Sequence, residues 1–339
     1  MKHCLINSFA LAALALVIAP MTAVATAPAG KYAVQAQYAL GGSGKWDYLT
    51  IDASARRLYI ARLDRVMVMD LDSGKLVGEA HGAIGAHGVA LVPALHRGYV
   101  SNGHDDSLTP FDLETLKALP VIRVSGKDPD ALLFDQATAH LWAFNGHSNN
   151  ASVIDPAAGK EIGRVELAGN PEFAVSDERG HIYVNLEDKG QLAQIDARSQ
   201  KVLATWSLGT CEGPTGLALD TAHHRLFSVC ANHQMAITDA LDGHHVATLP
   251  IGDHPDAAGF DPATQMVFSS NGDGTLTVVH QDDVEHYTVV ANVATAKGAR
   301  TLAIDETTHR IYLAAPAVSA PDSAHGAAGS FGVLVVGTP

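Results

Sequence analysis

Residues 129–155, PDALLFDQATAHLWAFNGHSNNASVID, contain three short apolar runs in succession. The runs extend from Asp130 to Phe134, from Leu141 to Phe144 and from Ala151 to Ile154, and an Asp or an Asn-Gly pair closes each of them. Short apolar runs bounded by turn-forming residues indicate β-strands joined by hairpins. This stretch therefore predicts three consecutive antiparallel strands.

The same pattern recurs along the chain every 40 to 44 residues, by subtraction of sequence positions. The residue just before the first strand of each repeat is one marker: Asp47, His87, Asp130, Glu172, Thr215, Asp256 and Arg300. An aromatic residue in the second strand is another: Tyr59, Tyr99, Trp142, Tyr183, Phe227, Phe268 and Tyr312. Both markers keep one register, which indicates a true internal repeat.

A period of roughly 40 to 50 residues with about four strands is typical of a β-propeller blade. We therefore expect an all-β fold, a seven-bladed β-propeller with four-stranded blades. The last repeat ends after its third strand, Phe331 to Val336. We expect Tyr32 to Leu40, near the N-terminus, to supply the missing fourth strand, which would close the ring and remove exposed edges.

The first 25 residues have the features of a secretory signal peptide. Lys2-His3 is basic, Leu11 to Ala19 is apolar but too short to span a membrane, and Ala23-Val24-Ala25 is a small-residue cleavage site. We expect cleavage after Ala25 and a periplasmic or secreted protein. Residues 26–339 then form a single propeller domain.

The formal net charge of -14 limits the classes of partner. Such a chain repels phosphate backbones and anionic lipids, so the sequence predicts neither nucleic-acid binding nor membrane insertion. A small molecule or a protein partner remains open, and we expect a monomer.

Several segments resemble the YVTN-repeat family of seven-bladed propellers, which includes surface-layer-type and YncE-like periplasmic proteins. The similar segments are Tyr99-Val100-Ser101-Asn102, Tyr183-Val184-Asn185 and Phe268-Ser269-Ser270-Asn271, together with the prolines before the first strands at 129, 171, 214 and 255. The resemblance covers residues 32–337 and implies a binding or interaction protein. The first and last repeats depart from the pattern, with Arg62 in place of Asn and with Ala314-Ala315.

Acidic residues gather at one predicted end of the ring. The start of the first strand and the end of the second lie at the same end because the two strands are antiparallel. The candidate ligand-binding residues are therefore Asp47, His87, Asp130, Glu172, Asp256, Arg300, Asn102, Asn145 and Asn271. Four carboxylates around one channel repel each other unless a cation compensates them. The candidate metal ligands are His87, Asp130, Glu172 and Asp256, for Ca²⁺, Mn²⁺ or Zn²⁺.

Three functions remain open from the sequence. The first is a propeller that binds a small ligand, a cation or a partner protein at this mouth. The second is a metal-assisted lactonase or lyase, with His87 as the candidate catalytic base. The third is a structural envelope protein, in which water and Arg300 satisfy the carboxylates.

Two further features flank the predicted mouth. Cys211 and Cys230 occupy neighbouring places in one predicted hairpin, which leaves a disulfide and two buried thiols as alternatives. The insertion Pro316 to Ser330 overhangs the same mouth, as a lid or a loop. The opposite end of the ring is predicted to carry structural turn residues: Asp52, Asp135, Asp177, Asp220, Asp261 and Asp305.

Overall fold

The structure, a computed structural model, describes residue 1, residues 31–318 and residues 330–339. The predicted signal peptide, apart from residue 1, and most of the insertion at 316–330 lie outside the described residues.

The first strands of the described chain form two groups. Strand β1 (Ala33–Ala39) joins the last sheet of the fold. The next six strands form one sheet: β2 (Leu49–Asp52), β3 (Arg57–Asp70), β4 (Leu76–Val92), β5 (Arg97–Asn102), β6 (Ser107–Asp112) and β7 (Ile122–Arg123).

Four four-stranded antiparallel sheets follow in chain order. Their strands are β8 (Pro129–Asp135), β9 (His140–Asn145), β10 (Asn150–Asp155) and β11 (Lys160–Glu166); β12 (Pro171–Ser176), β13 (His181–Leu186), β14 (Gln191–Asp196) and β15 (Lys201–Ser207); β16 (Pro214–Asp220), β17 (Arg225–Cys230), β18 (Gln234–Asp239) and β19 (His245–Pro250); and β20 (Pro255–Asp261), β21 (Met266–Asn271), β22 (Thr275–Gln281) and β23 (Tyr287–Ala294).

The last sheet contains both ends of the propeller. It consists of β24 (Leu302–Asp305), β25 (Arg310–Val318), β26 (Ser330–Gly337) and β1, in the order β1-β26-β25-β24. The prediction that an N-terminal strand completes the last sheet is therefore confirmed. Among the described residues, four short 3-10 helices lie between strands, at Pro93–Leu95, Gly103–Asp105, Gly146–Ser148 and Glu187–Lys189.

The propeller has six blades, and the prediction of seven separate four-stranded blades is wrong. The first two repeats form one six-stranded sheet because β4 runs without a break from the end of one repeat into the start of the next. Gly82 and Gly85 adopt positive φ angles within β4, and the Ile84 N–H donates to Asn102 Oδ1 at 3.1 Å. These features keep residues 82–85 in the strand, where the sequence pattern suggested a break between blades.

The second strand of each repeat lies in the middle of a sheet and is buried on both faces. All seven predicted aromatic residues there are at most 3% exposed. Three of the tyrosines also donate a hydrogen bond to a turn of another sheet, such as Tyr99 Oη to Pro156 O at 3.0 Å and Tyr183 Oη to Ala240 O at 3.0 Å. The aromatic residues that mark the repeat therefore form the packing layer between neighbouring sheets.

The innermost strands are β2, the second half of β4, β8, β12, β16, β20 and β24, and each contacts the next around the channel. Side-chain hydroxyls link neighbouring repeats at the channel. Ser101 Oγ of β5 donates to Asp130 O of β8 at 2.5 Å, and Thr301 Oγ1, just before β24, donates to Asp47 O at 3.1 Å. The second of these bonds joins the last sheet to the first. These bonds fix the relative positions of the strand starts, where the candidate site lies.

Cys211 and Cys230 form a disulfide with a Cα–Cα distance of 5.5 Å, and Cys230 is the last residue of β17. Within the described ranges, no helix has the length and apolar character needed to cross a membrane.

Candidate functional site

The starts of the innermost strands surround a cavity of about 380 Å³ at one end of the channel. We call this cavity the acidic cup; its lining residues are Asp47, Tyr48, His87, Asp130, Glu172, Glu187, Thr215, Ala231, His254, Pro255, Asp256 and Arg300. All seven strand-start residues of the repeat are among them. The structure therefore brings together side chains that lie up to about 250 residues apart, by subtraction.

The floor of the acidic cup is aromatic. Tyr48, just before β2, packs against Phe173 of β12 from across the ring, with ring centroids 4.9 Å apart. Tyr48 is only 6% exposed. Burial raises the pKa of its phenol well above the usual value, and the charges of Asp130, Glu172, Asp256 and Asp47 raise it further. The phenol therefore stays neutral beneath the carboxylates.

Asp47, His87 and Asp130 form the most compact group in the cup. His87 Nδ1 lies 2.7 Å from Asp47 Oδ2 and 3.7 Å from Asp130 Oδ1, and one ligand atom from each residue lies within 4.8 Å of the others. Burial lowers the pKa of His87, but the hydrogen bond to Asp47 and the charge of Asp130 outweigh it and bring the pKa to about 9. His87 therefore carries a proton at neutral pH.

The second carboxylate of this group lacks a hydrogen-bond partner. Asp130 Oδ1 is buried and accepts no hydrogen bond from any described residue. Burial and the repulsion of Asp47 raise the pKa of Asp130 to about 7 despite the opposing charge of His87. A buried carboxylate oxygen without a donor is unfavourable in isolation, so this atom is open to a cation.

Asp256 and Arg300 form the only ion pair with an arginine among the lining residues of the cup. Arg300 Nε lies 3.0 Å from Asp256 Oδ2. Burial still raises the pKa of Asp256 to about 6, because the guanidinium offsets only part of the desolvation. Arg300 is half exposed, so its charge is also shared with solvent.

Glu172 and Glu187 form an acid pair at the edge of the cup. Burial, the charges of Asp130 and Glu187, and a hydrogen bond with Glu187 raise the pKa of Glu172 to about 10. Asn170 Nδ2 donates to Glu187 Oε2 at 3.0 Å, which holds the Glu187 side chain in place. The Glu172 carboxyl group is therefore protonated at neutral pH.

The three asparagines predicted to bind a ligand do not line the cup. Asn102, Asn145 and Asn271 are at most 1% exposed, and each donates within its own sheet to a Ser, Thr or Asn side chain. Asn102 Nδ2, for example, donates to Thr109 Oγ1 at 2.8 Å. They stabilise the ends of the second strands instead.

Sequence reasoning missed Tyr48 and His254 as lining residues. Tyr48 directly follows the strand-start residue Asp47, and strand alternation would have directed its side chain away from Asp47, although both residues line the cup. His254 precedes Pro255 and therefore sits at the rim, although no chemical signal in the sequence marked it.

Comparisons with known proteins bear on the fold only. The chain matches no family model and no curated protein. Among solved structures it is similar to a chain of hydrazine synthase from Kuenenia stuttgartiensis, with a TM-score of 0.71 and 17% sequence identity. The match covers 83% of this chain and 96% of that chain. At this identity the similarity shows a β-propeller fold, the architecture of many binding scaffolds, and carries no activity across.

Proposed function

We propose that the protein binds a small cationic ligand in the acidic cup. The buried Asp130 Oδ1, which has no donor among the described residues, is the observation that carries the proposal. A ligand ammonium or metal ion would supply the missing partner and would offset the mutual repulsion of the carboxylates.

The charge balance of the cup supports a cation. Five carboxyl groups line it, against one guanidinium and two imidazoles. Protons now compensate part of this excess, as the raised pKa values of Asp130 and Glu172 indicate. A bound cation would displace such protons, so its affinity should rise with pH.

The size of the cup favours an organic cation. A volume of about 380 Å³ is larger than one ion requires and falls within the usual range for small-molecule pockets. We therefore favour an amine as the ligand.

The test is calorimetric titration of the full chain with n-pentylamine, choline, Ca²⁺ and Zn²⁺ at pH 8, with pentanoate as the anionic control. Asp130→Asn should weaken the binding of the preferred cation about tenfold or more, equivalent to one lost charge contact. Glu114→Gln removes the same charge from an exposed turn and should change affinity less than about twofold. The proposal fails if none of the cations binds, or if both variants bind like the original chain.

A metal-assisted enzyme is the second candidate, and the compact group of Asp47, His87 and Asp130 favours it. Asp47 Oδ2, His87 Nδ1 and Asp130 Oδ1 would hold a divalent ion, the donor set that Zn²⁺ and Mn²⁺ accept. A bound ion would supply Lewis-acid polarisation of a carbonyl. His87 would then be a ligand, and protonated Glu172, which also lines the cup, would be the candidate proton donor.

Metal analysis of the purified protein and turnover of simple lactones would test this candidate. We expect one equivalent of bound metal per chain in the original protein and none in the His87→Ala variant. Absence of metal after dialysis against Zn²⁺ and Mn²⁺ would exclude the metal-assisted enzyme but would not contradict the proposal of amine binding.

We also propose that the chain belongs to the YVTN-repeat family and acts in the periplasm or outside the cell. The repeat motifs support the family, and the signal-like N-terminus supports the location. A disulfide between Cys211 and Cys230 is consistent with an oxidising compartment. Fractionation of cells that express the full chain, with N-terminal sequencing of the mature protein, tests the location and the cleavage after Ala25.

A further inference from the structure

A cavity of about 650 Å³ lies at the end of the channel opposite to the acidic cup. We call it the far cavity. Its walls are residues near the ends of three neighbouring innermost strands, 50–52 of β2, 89–91 of β4 and 132–134 of β8, together with the turn residues that follow them. The innermost strands start at the cup, so their last residues lie at the other end. The far cavity shares no lining residue with the cup.

The wall of the far cavity is mainly apolar. Ile51, Leu91, Leu133 and Phe134 line it, and each of these residues remains partly exposed in the folded chain. Apolar surface gains free energy when it leaves water, so a concave wall of this kind favours a molecule that covers it. The volume also lies within the usual range for small-molecule pockets.

The polar residues that line the far cavity already bond within the protein. Thr50 Oγ1 donates to Val89 O at 2.6 Å, and Asp52 Oδ1 accepts two hydrogen bonds from its own turn. Gln136 Nε2 donates to Glu178 Oε1 at 3.0 Å, which links two neighbouring turns at the edge of the cavity. Among the described residues, no lining residue of the far cavity has a buried polar atom without a partner, in contrast to Asp130 in the cup.

We propose that the far cavity binds an uncharged, largely apolar small molecule. Such a ligand would cover the apolar wall, and the paired polar groups would lose no hydrogen bond to it. A negatively charged group on the ligand would meet Asp52, the only charged residue among the described lining residues, with no cation beside it. This site is independent of the cup, because it has its own lining residues and takes a ligand of different chemistry.

The test compares two fluorescent probes with the same ring skeleton in titrations of the full chain at pH 8. N-Phenyl-1-naphthylamine is uncharged, whereas 8-anilino-1-naphthalenesulfonate carries an added sulfonate. We expect the uncharged probe to bind about tenfold or more tightly, because the wall offers no partner for a sulfonate that has left water. Equal affinities, or no binding of the uncharged probe, would overturn the inference and would leave the cup proposal in place.

The variant Leu91→Gln places an amide in the apolar wall. We expect the affinity for the uncharged probe to fall about tenfold, because the probe cannot offer the amide a hydrogen bond. Leu219→Gln is the matched control. Leu219 also lies one residue before the end of an innermost strand and is partly exposed, but it does not line the far cavity.

Leu219→Gln and the cup variant Asp130→Asn should each change the affinity for the uncharged probe less than about twofold, since both sites are remote from the far cavity. An unchanged affinity in folded Leu91→Gln would overturn the inference. An equal loss in Asp130→Asn would also overturn it, because the probe would then occupy the cup.

A thermal unfolding scan of each variant establishes that it is folded before it is titrated. If Leu91→Gln does not fold, Ala94→Trp decides, because Ala94 is exposed at the edge of the far cavity and a tryptophan there narrows it. Ala222→Trp is its control, at the same exposed place of another repeat. Equal affinities of these two variants for the uncharged probe would overturn the inference.

Discussion

The two ends of the innermost strands carry the same residue type in opposite environments. At the cup end, Asp130 and Asp256 have raised pKa values because burial and like charges outweigh their contacts. At the other end, desolvation also raises the pKa values of Asp220 and Asp305, but hydrogen bonds outweigh it and lower both values. The same repeat therefore places stabilising carboxylates at one end of the ring and destabilising ones at the other.

The contacts explain the difference. Asp305 is fully buried and accepts hydrogen bonds from Thr307 N, Thr308 Oγ1 and Arg56 Nη1. Asp130 has an oxygen that accepts none from the described residues. Natural proteins keep such unfavourable groups chiefly where function requires them, which is why we place the function at the cup end.

Loss of the disulfide at the cup end should have the largest effect on stability. Replacing Cys211 and Cys230 with serine removes a cross-link across 19 positions of the chain. We expect the free energy of unfolding to fall by about 3 kcal/mol, as measured by urea denaturation. A change below about 1 kcal/mol would mean that hydrogen bonds alone fix this end.

Asp305→Ala should be the most damaging change among the carboxylates at the opposite end. It breaks a buried contact 2.7 Å from Arg56, whose guanidinium is one quarter exposed, and we expect a loss of about 2 kcal/mol in urea denaturation. Asp72→Ala is the matched control, because Asp72 pairs with the same arginine but is 65% exposed. It should cost less than about 1 kcal/mol. Equal losses would contradict the role of burial.

Asp130→Asn should increase the stability of the protein, in contrast to the two changes above. It removes a repelled carboxylate, and we expect the free energy of unfolding at pH 8 to rise by about 1 kcal/mol while cation affinity falls. The pair of measurements separates stability from binding. A destabilised Asp130→Asn variant would show that the carboxylate is structural.

The two ends should also give opposite slopes in a plot of melting temperature against pH. Asp130 binds its proton more tightly in the folded chain, with a pKa of about 7 against an ordinary 3.8, so stability falls as pH rises between these values. His87 has a raised pKa of about 9, so its contribution is complete below pH 6.5 and disappears as pH rises through 9. The lowered pKa of Asp305 gives stability that is lost in acid.

We therefore expect the highest melting temperature near pH 5 in scanning calorimetry, with a shallower fall toward pH 8 in Asp130→Asn. A melting temperature that rises steadily from pH 5 to pH 8 would contradict the pKa values of the cup.

The sequence was sufficient to predict the cup because its residues hold fixed places in the repeat. Asp47 and Arg300 are distant in the chain, yet each lies two residues before an innermost strand, and the innermost strands all start at the same end of the channel. Side-chain direction was the missing information for Asn102, which lies at the correct end of its strand but points into the sheet toward Thr109.

The joined first sheet could not be predicted for a related reason. The segment Gly82-Ala83-Ile84-Gly85 has the composition of a turn, and glycine permits the positive φ angles seen there. Its place in a strand depends on a bond from Ile84 N–H to Asn102, a residue of the following repeat. The composition of the segment alone therefore cannot predict this tertiary contact.

Pairing between β1 and β26 joins positions that are about 300 residues apart, with Ala33 opposite Gly337. A ribosome makes β26 after all the other described strands, so a nascent chain cannot close the ring until translation is almost complete. Until then β1 has no partner strand, and β25 has an open edge once it emerges, so both can pair with neighbouring chains. Chaperones that cover strand edges would thus be needed from the emergence of β1 until the arrival of β26.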